Sequence, residues 1–276
     1  AVGRKIMAAA AANLTPVTLE LGGKSPTILG DDFPLELAAA RIATGKLFNG
    51  GQTCIAPDYV FVPRAKRDAF VAALRADIAK RFPDGNDFSD YTRIVNSGQY
   101  RRLRGYLDDA ANRGLSVQAL LDIDPAKAES ERLLPPTVVL EPGDDAKVMQ
   151  DEIFGPILPI VSYDRIDDVI AYINAHDRPL ALYVFDYDRA NVERILTRCI
   201  AGGVTVNDAL LQFAASELPF GGVGPSGMGH YHAKEGFLNF SKLLPIVYQS
   251  RFTGFDFLLR PPYKGVADAL VKFLSR

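Results

Sequence analysis

Cysteine is scarce in this chain, with two in 276 residues, Cys54 and Cys199. So sparse a complement excludes the disulfide framework of a small secreted domain and points to a reducing compartment, the cytoplasm. Long apolar runs are also lacking, and none approaches the roughly 18 residues that a membrane span needs. ArgLysIleMet and the alanines after it outline the charged and apolar parts of an export signal, but the run from Ile6 to Ala12 is short and Asn13 closes it. An excess of one charge is missing too. With 31 basic against 33 acidic residues, nothing draws the whole molecule to nucleic acid or to an anionic membrane. No repeat or low-complexity tract occurs. Chemistry on a small molecule is what these absences leave.

What is present is a globular composition, 48% hydrophobic and 23% charged, enough to bury a large core. Short apolar runs bounded by glycine and proline predict buried strands at Val17 to Leu21 and Pro26 to Leu29, and another follows Cys54. Further strands are predicted at Thr137 to Leu140, Leu158 to Val161, Leu180 to Phe185 and Gly203 to Val206. Helices are predicted at Leu35 to Phe48, Arg64 to Phe82, Gln99 to Arg113, Asp164 to Ala175 and Arg189 to Cys199. The alternation predicts an α/β fold with a largely parallel sheet. Asp84 to Asp90 reads as the nearest thing to a linker. From Arg251 the chain turns aromatic and proline-interrupted, with a short amphipathic helix at Val266 to Leu274, as in a tail that packs on a neighbour.

Four stretches can carry chemistry. GlyGlyGlnThrCys, residues 50 to 54, sets a thiol behind a glycine pair, where an approachable sulfur and free backbone donors suit a nucleophile; a small buried apolar residue is the alternative. In LeuGluLeuGlyGlyLysSerPro, 19 to 26, apolar flanks are expected to draw Glu20 out of water and raise its pKa toward that of a general base, unless it is a structural partner of Lys24. GlyGlyLysSer lacks the glycine spacing of a phosphate loop. GluIlePheGlyPro at 152 to 156 precedes a strand. The run from Asn207 to Phe213 leads into ProPheGlyGlyValGlyProSerGlyMetGly at 219 to 229, a plausible pocket wall or ordinary turn chemistry. His230 and His232 lack a third partner for a metal, so no metal site is expected, but they stay candidate bases for a cysteine hydrolase.

Taken in order, these motifs make the chain similar to the aldehyde dehydrogenase superfamily along essentially its whole length. GlyHisTyrHis at 229 to 232 and ArgProProTyr at 260 to 263 resemble its class 3 branch, in particular the bacterial coniferyl aldehyde dehydrogenases. The resemblance implies oxidation of an aldehyde, aromatic and coniferyl aldehyde-like, to the acid with NAD or NADP. It makes Cys54 the nucleophile and Glu20 the base that hydrolyses the thioester. Glu152 matches the ligand of the nicotinamide ribose and Phe154 the nicotinamide contact, with Gly3, Leu21 and Gly22 also on the cofactor side. Asn207, Leu210, Leu211 and Phe213 would line the substrate pocket. Three parts are implied: a remnant of a Rossmann-like cofactor domain at 1–20, a catalytic domain at 21–243, and an oligomerisation tail at 244–276 that makes a homodimer. The resemblance further implies that the chain opens inside the cofactor domain, without the upstream asparagine of the oxyanion hole, so that turnover by this chain alone is weakened or lost. One such donor commonly carries about 10² to 10³ in rate. A cysteine hydrolase or thioesterase and a non-catalytic remnant stay open as alternatives. Ala233 departs from the glycine that many relatives carry there.

Overall fold

The structure, a computed structural model, describes residues 2–83, 88–251, 261 and 265–275. It divides into a compact unit of residues 1–240 and a second of residues 241–276. The first opens with helix α1 (Val2–Ala11) and a two-residue strand β1 (Leu19–Glu20). Then follow β2 (Pro26–Leu29), α2 (Leu35–Leu47), β3 (Tyr59–Pro63), α3 (Arg67–Arg81), α4 (Ser97–Asn112), β4 (Ser116–Ala119), α5 (Pro125–Glu131), β5 (Thr137–Leu140), α6 (Lys147–Gln150) and β6 (Ile157–Tyr163). The unit ends with α7 (Ile166–Ala175), β7 (Ala181–Phe185), α8 (Arg189–Arg198), β8 (Gly203–Val206), α9 (Leu211–Ala214), β9 (Gly227–Met228) and α10 (Ala233–Asn239).

Seven strands form one sheet in the order β4-β5-β6-β3-β2-β7-β8. Every pair is parallel except β4 with β5, so the α/β fold with a largely parallel sheet is observed. Strands buried on both faces explain the continuous apolar runs, and alternate residues divide between two cores. Ile28, Leu182 and Val184 point to the face covered by Leu103 of α4, Ile170 of α7 and Ile195 of α8. Leu29, Tyr183 and Phe185 point to the other, covered by Ile42 of α2 and by Phe70, Leu74 and Ile78 of α3. Each fully buried side chain of this size contributes about 1.5–3 kcal/mol, which fixes the sheet as a rigid platform.

Some elements depart from the sequence reading. Val17 to Leu21 is no strand of the main sheet: only Leu19 and Glu20 pair, antiparallel to Met228 and Gly227. Glycine at 227 is required there, because a Cβ would meet the Leu19 carbonyl at 2.2 Å. The antiparallel edge β4 escaped notice because its exposed and half-buried residues, SerValGlnAla, carry no apolar run. Of the expected linker, residues 84–87 lie outside the described residues, and Phe88 is buried against Tyr91 and Leu133. Residues 252–260 and 262–264, most of the aromatic tail, also lie outside them, whereas the C-terminal helix is present at Gly265–Leu274. Among the described residues no helix is long and apolar enough to cross a membrane.

Ala233 opens α10 with φ +42°, next to His232 at φ +108°. A Cβ in this left-handed region costs about 1–2 kcal/mol, which is what glycine at this position avoids. Ala233→Gly is therefore expected to raise stability by about 1 kcal/mol, less the extra entropy of its unfolded chain. Urea unfolding of the two proteins measures it, and a destabilised variant would contradict the strain.

Candidate active site

The chemistry-bearing loops gather at one end of the sheet. Residues 21–25 lead into β2, residues 52–58 into β3 and residues 151–156 into β6, and these three strands are adjacent and parallel. The loops therefore meet at the amino ends of the strands, opposite to the carboxyl-end crevice usual in open α/β sheets. The glycine-rich loop before β9 joins them, since the Leu21 amide donates to the Ser226 carbonyl at 3.2 Å.

A buried ion pair ties these loops together. Asp58, 3% exposed, accepts from the Lys24 ammonium through Oδ2 and from the Ile153 amide through Oδ1 at 3.1 Å. Lys24 Nζ also donates to the carbonyls of Val148 (2.9 Å) and Asp151 (3.0 Å), so its three protons are all used. Lys24 is thus the partner of Asp58, not of Glu20. Arg102 of α4 holds the third loop from outside, donating to the carbonyls of Glu152 (3.3 Å) and Ile153 (2.6 Å). The next residue, Phe154, is left at φ +52° and 40% exposed. Close packing sets the remaining geometry. A Cβ on Gly22 would lie 2.0 Å from Glu152 Oε2, and one on Gly51, at φ +74°, would lie 2.4 Å from the Gly155 carbonyl.

Cys54 is a free, half-buried cysteine on the second loop. Burial, then the carboxylates of Glu152 and Glu20, push its thiol pKa up; the backbone N–H groups of Cys54 and Ile55 pull it down. Residues from three separate segments of the chain, Cys54, Glu20 and Glu152, thus meet electrostatically at one sulfur. Neither His230 nor His232 is among the groups that perturb it. His230 faces Glu235 at 3.8 Å, and His232 stacks on Phe220.

Glu20 is exposed, which corrects the expectation that its apolar neighbours draw it out of water. Strand alternation explains this: β1 turns Leu19 inward, so Glu20 projects outward from a two-stranded edge. A neighbour missed in the sequence is Tyr231, whose hydroxyl feels the Glu20 carboxylate. Burial, then hydrogen bonding to Glu20 and the charges of Glu20 and Cys54, push the Tyr231 hydroxyl up to about 12.

Glu152 is a second carboxylate the loops hold in place. Burial, then the charge of Asp58, push it up to about 7, against the Gly23 amide, Lys24 and Arg102. Its Oε1 is buried without a hydrogen-bond partner. Beneath it lies Lys46, 3% exposed and also unpartnered at Nζ, which burial pushes down to about 8. Neither Lys46 nor Asp58 stands out in the sequence, since each is a single charge inside a motif. A cavity of about 320 Å³ adjoins Glu152, lined also by Gly22, Gly23, Lys24, Tyr59 and Arg178; it does not reach Cys54 or Glu20.

The other residues singled out in the sequence fall as follows. Gly3 sits in α1, where a Cβ would touch the Leu21 side chain at 3.0 Å. Asn207, at φ +61°, accepts from the Asp186 amide through Oδ1 at 2.9 Å, and Arg41 donates to its carbonyl. Leu211 and Phe213 are half-exposed, and Leu210 packs partly on the core. The Phe213 ring meets those of Phe220 (5.4 Å) and His232 (5.7 Å), an aromatic wall larger than the sequence run alone. Among the described residues no cluster could hold a metal ion.

The raised Glu152 pKa has a consequence for stability. Between the ordinary value of 4.5 and about 7, the folded protein keeps a proton that the unfolded chain releases. This contribution is complete below 4.5 and is lost as pH rises through about 7. Urea midpoints of the wild type are expected to fall relative to Glu152→Gln between about pH 5 and about pH 8. A constant difference would contradict the assignment.

Known proteins resemble this chain in sequence and in fold. The aldehyde dehydrogenase family profile matches residues 1–244. A probable coniferyl aldehyde dehydrogenase of Pseudomonas aeruginosa is 50% identical over 276 residues, all of this chain and 57% of that protein. The coniferyl aldehyde dehydrogenase of a Pseudomonas species is 42% identical over 99% of this chain and 57% of its own length. The substrate-bound structure of Staphylococcus aureus AldH superposes with a TM-score of 0.88 at 38% identity, covering 99% of this chain and 58% of that one. The chain spans about half the length of the curated relatives it matches. On a profile match over most of its residues, and on identity across its full length, the chain belongs to the aldehyde dehydrogenase family.

Proposed function

We propose that this chain carries the catalytic site of an NAD(P)-dependent aldehyde dehydrogenase that oxidises an aromatic, coniferyl aldehyde-like substrate to its acid. The carrying observation is the convergence on the Cys54 sulfur of Glu20, Glu152 and two backbone N–H groups. Support for the substrate class comes from the named activity of relatives and from the wall of Phe213, Phe220 and His232. Solved relatives at 28–29% identity hold NAD⁺ or NADP. The exposed apolar residues Leu243, Leu244, Val247 and Tyr248 of the second unit favour a homodimer. The substrate is a free small molecule, and the setting is cytoplasmic.

The residues present fit the nicotinamide end of such a cofactor. Glu152 has a buried oxygen without a partner and lies against Gly22, where no side chain intervenes. Glu152 would hold the ribose hydroxyls, Phe154 would contact the ring, and Leu21 and Gly22 would offer backbone, with Gly3 leaving room for the Leu21 side chain. When bound, the nicotinamide supplies the hydride acceptor that allows a thiohemiacetal to become a thioester.

The chain's own residues do the rest. Cys54 Sγ adds to the aldehyde carbon, and the thiol proton leaves toward the neighbouring carboxylates. The Cys54 and Ile55 amides are placed for the negative charge that develops on sulfur and oxygen. Glu20, at the exposed mouth of the site, takes a proton from water, which attacks the thioester and frees the sulfur. An exposed base suits this step because water must reach it.

An activated ester such as p-nitrophenyl acetate acylates the sulfur directly and tests nucleophile and base without cofactor. Cys54→Ser is expected to abolish ester turnover and, with aldehyde and NAD or NADP, formation of reduced nicotinamide. Glu20→Gln is expected to slow deacylation by about 10² or more and to leave an acetyl group on Cys54 by mass spectrometry. Undiminished turnover in Cys54→Ser would overturn the nucleophile, and no retained acetyl group in Glu20→Gln would overturn the base.

A further inference from the structure

Behind the nucleophile loop lies a polar chain that the proposed chemistry does not use. Tyr183, at the centre of β7, is fully buried, yet its hydroxyl donates to the Ile55 carbonyl at 2.6 Å. The same oxygen accepts from Gln212 Nε2 at 3.2 Å. Gln212, 7% exposed in α9, accepts at Oε1 from the Thr205 hydroxyl of β8, whose oxygen in turn accepts from the Gln212 amide at 3.2 Å. A tyrosine hydroxyl and a threonine hydroxyl have one proton each. Tyr183 must give its proton to Ile55 and Thr205 its own to Gln212, so the amide of Gln212 can present only its NH₂ to Tyr183. Every direction in the chain is forced.

Two consequences follow from where the chain ends. At one end it grips the carbonyl of Ile55, a residue whose side chain is also buried, 1% exposed. With both held, the backbone of Ile55 has little freedom, and its N–H is one of the two directed at the Cys54 sulfur. At the other end stands Gln212, between Leu211 and Phe213 on the proposed substrate wall. The loop there is held in the left-handed conformation at Asn207 (φ +61°) and Leu210 (φ +66°), a costly shape that buried bonds must maintain.

We propose that Tyr183 and Gln212 are positioning residues that couple the substrate wall to the nucleophile, by fixing the Ile55 backbone and hence the donor that faces Cys54. The proposal rests on the reading of Cys54 as the nucleophile. An aldehyde pressed against Leu211 and Phe213 bears on Gln212, and the bond chain passes that load to Ile55. A long or ring-shaped substrate would thereby orient the donor, whereas a short one would not touch the wall.

Tyr183→Phe removes only the hydroxyl and keeps the ring in its place. Two readouts separate positioning from bare stability: the pH profile of Cys54 alkylation by iodoacetamide, followed by peptide mass spectrometry, and the division of ester turnover between kcat and KM. The expected result is alkylation displaced to higher pH and kcat lower by about tenfold, a fraction of what a deleted donor costs, with KM unchanged. Thr205→Val, which keeps shape and breaks the chain one bond further away, is expected to shift both in the same direction by less, and it is the deciding variant should Tyr183→Phe fail to fold. Wild-type alkylation and kcat in the folded variants would overturn the coupling, as would a loss confined to KM. Ester turnover that survives Cys54→Ser would instead overturn the underlying reading.

Discussion

The buried pair of Lys24 and Asp58 is the interaction on which the site depends. Taking both charges out of water costs several kcal/mol each, and the pair is tolerable only because no proton or oxygen is left idle. Lys24 uses its three donors on Asp58, Val148 and Asp151, and Asp58 uses its oxygens on Lys24 and Ile153. An apolar substitute could fill the space, but it could not hold three loops in register. Breaking such a pair from one side typically costs about 3–5 kcal/mol, because the surviving charge is stranded. The pair is thus a fastener, and what it fastens is the position of Cys54 relative to Glu152 and Glu20.

The charges set against one another by this fastening explain the electrostatics of the site. Burial, then the charge of Asp58, raises Glu152 to about 7, and burial lowers Lys46 to about 8; Glu152 Oε1 and Lys46 Nζ are each left without a hydrogen-bond partner. Among the described residues they share this with Ser25 Oγ, Thr27 Oγ1 and His232 Nδ1, and Ser25 and Thr27 belong to the segment that runs from the first loop into β2. The Cys54 thiol is held in its protonated form by burial and by two carboxylates.

Much of this was legible in the sequence. The apolar runs at Pro26 to Leu29, Thr137 to Leu140 and Gly203 to Val206 coincide with β2, β5 and β8; β2 and β5 are buried on both faces and so largely apolar, whereas β8 is an edge strand with Val206 exposed. Motif order gave the family. What escaped were features set by tertiary pairing: the edge strand β4, half-exposed and without pattern; β1, removed from the main sheet by its antiparallel partner; and the exposure of Glu20, which follows from that pairing. Asp58, Lys46, Tyr183 and Gln212 were invisible for another reason. A single polar residue in an apolar stretch shows that a partner is needed, but not which one. Only the folded chain brings Tyr183 to Ile55 or Lys24 to Asp58.

Hydrogen exchange on Asp58→Ala tests the fastening most directly. The wild-type Ile153 amide is protected by Asp58 across 95 positions of sequence. In the variant, with its secondary structure checked by circular dichroism, the peptides covering residues 21–25, 52–58 and 151–156 are expected to gain exchange together, because one bond network holds all three. Faster exchange confined to the loop that bears the substitution, with the other two as protected as in the wild type, would contradict the account.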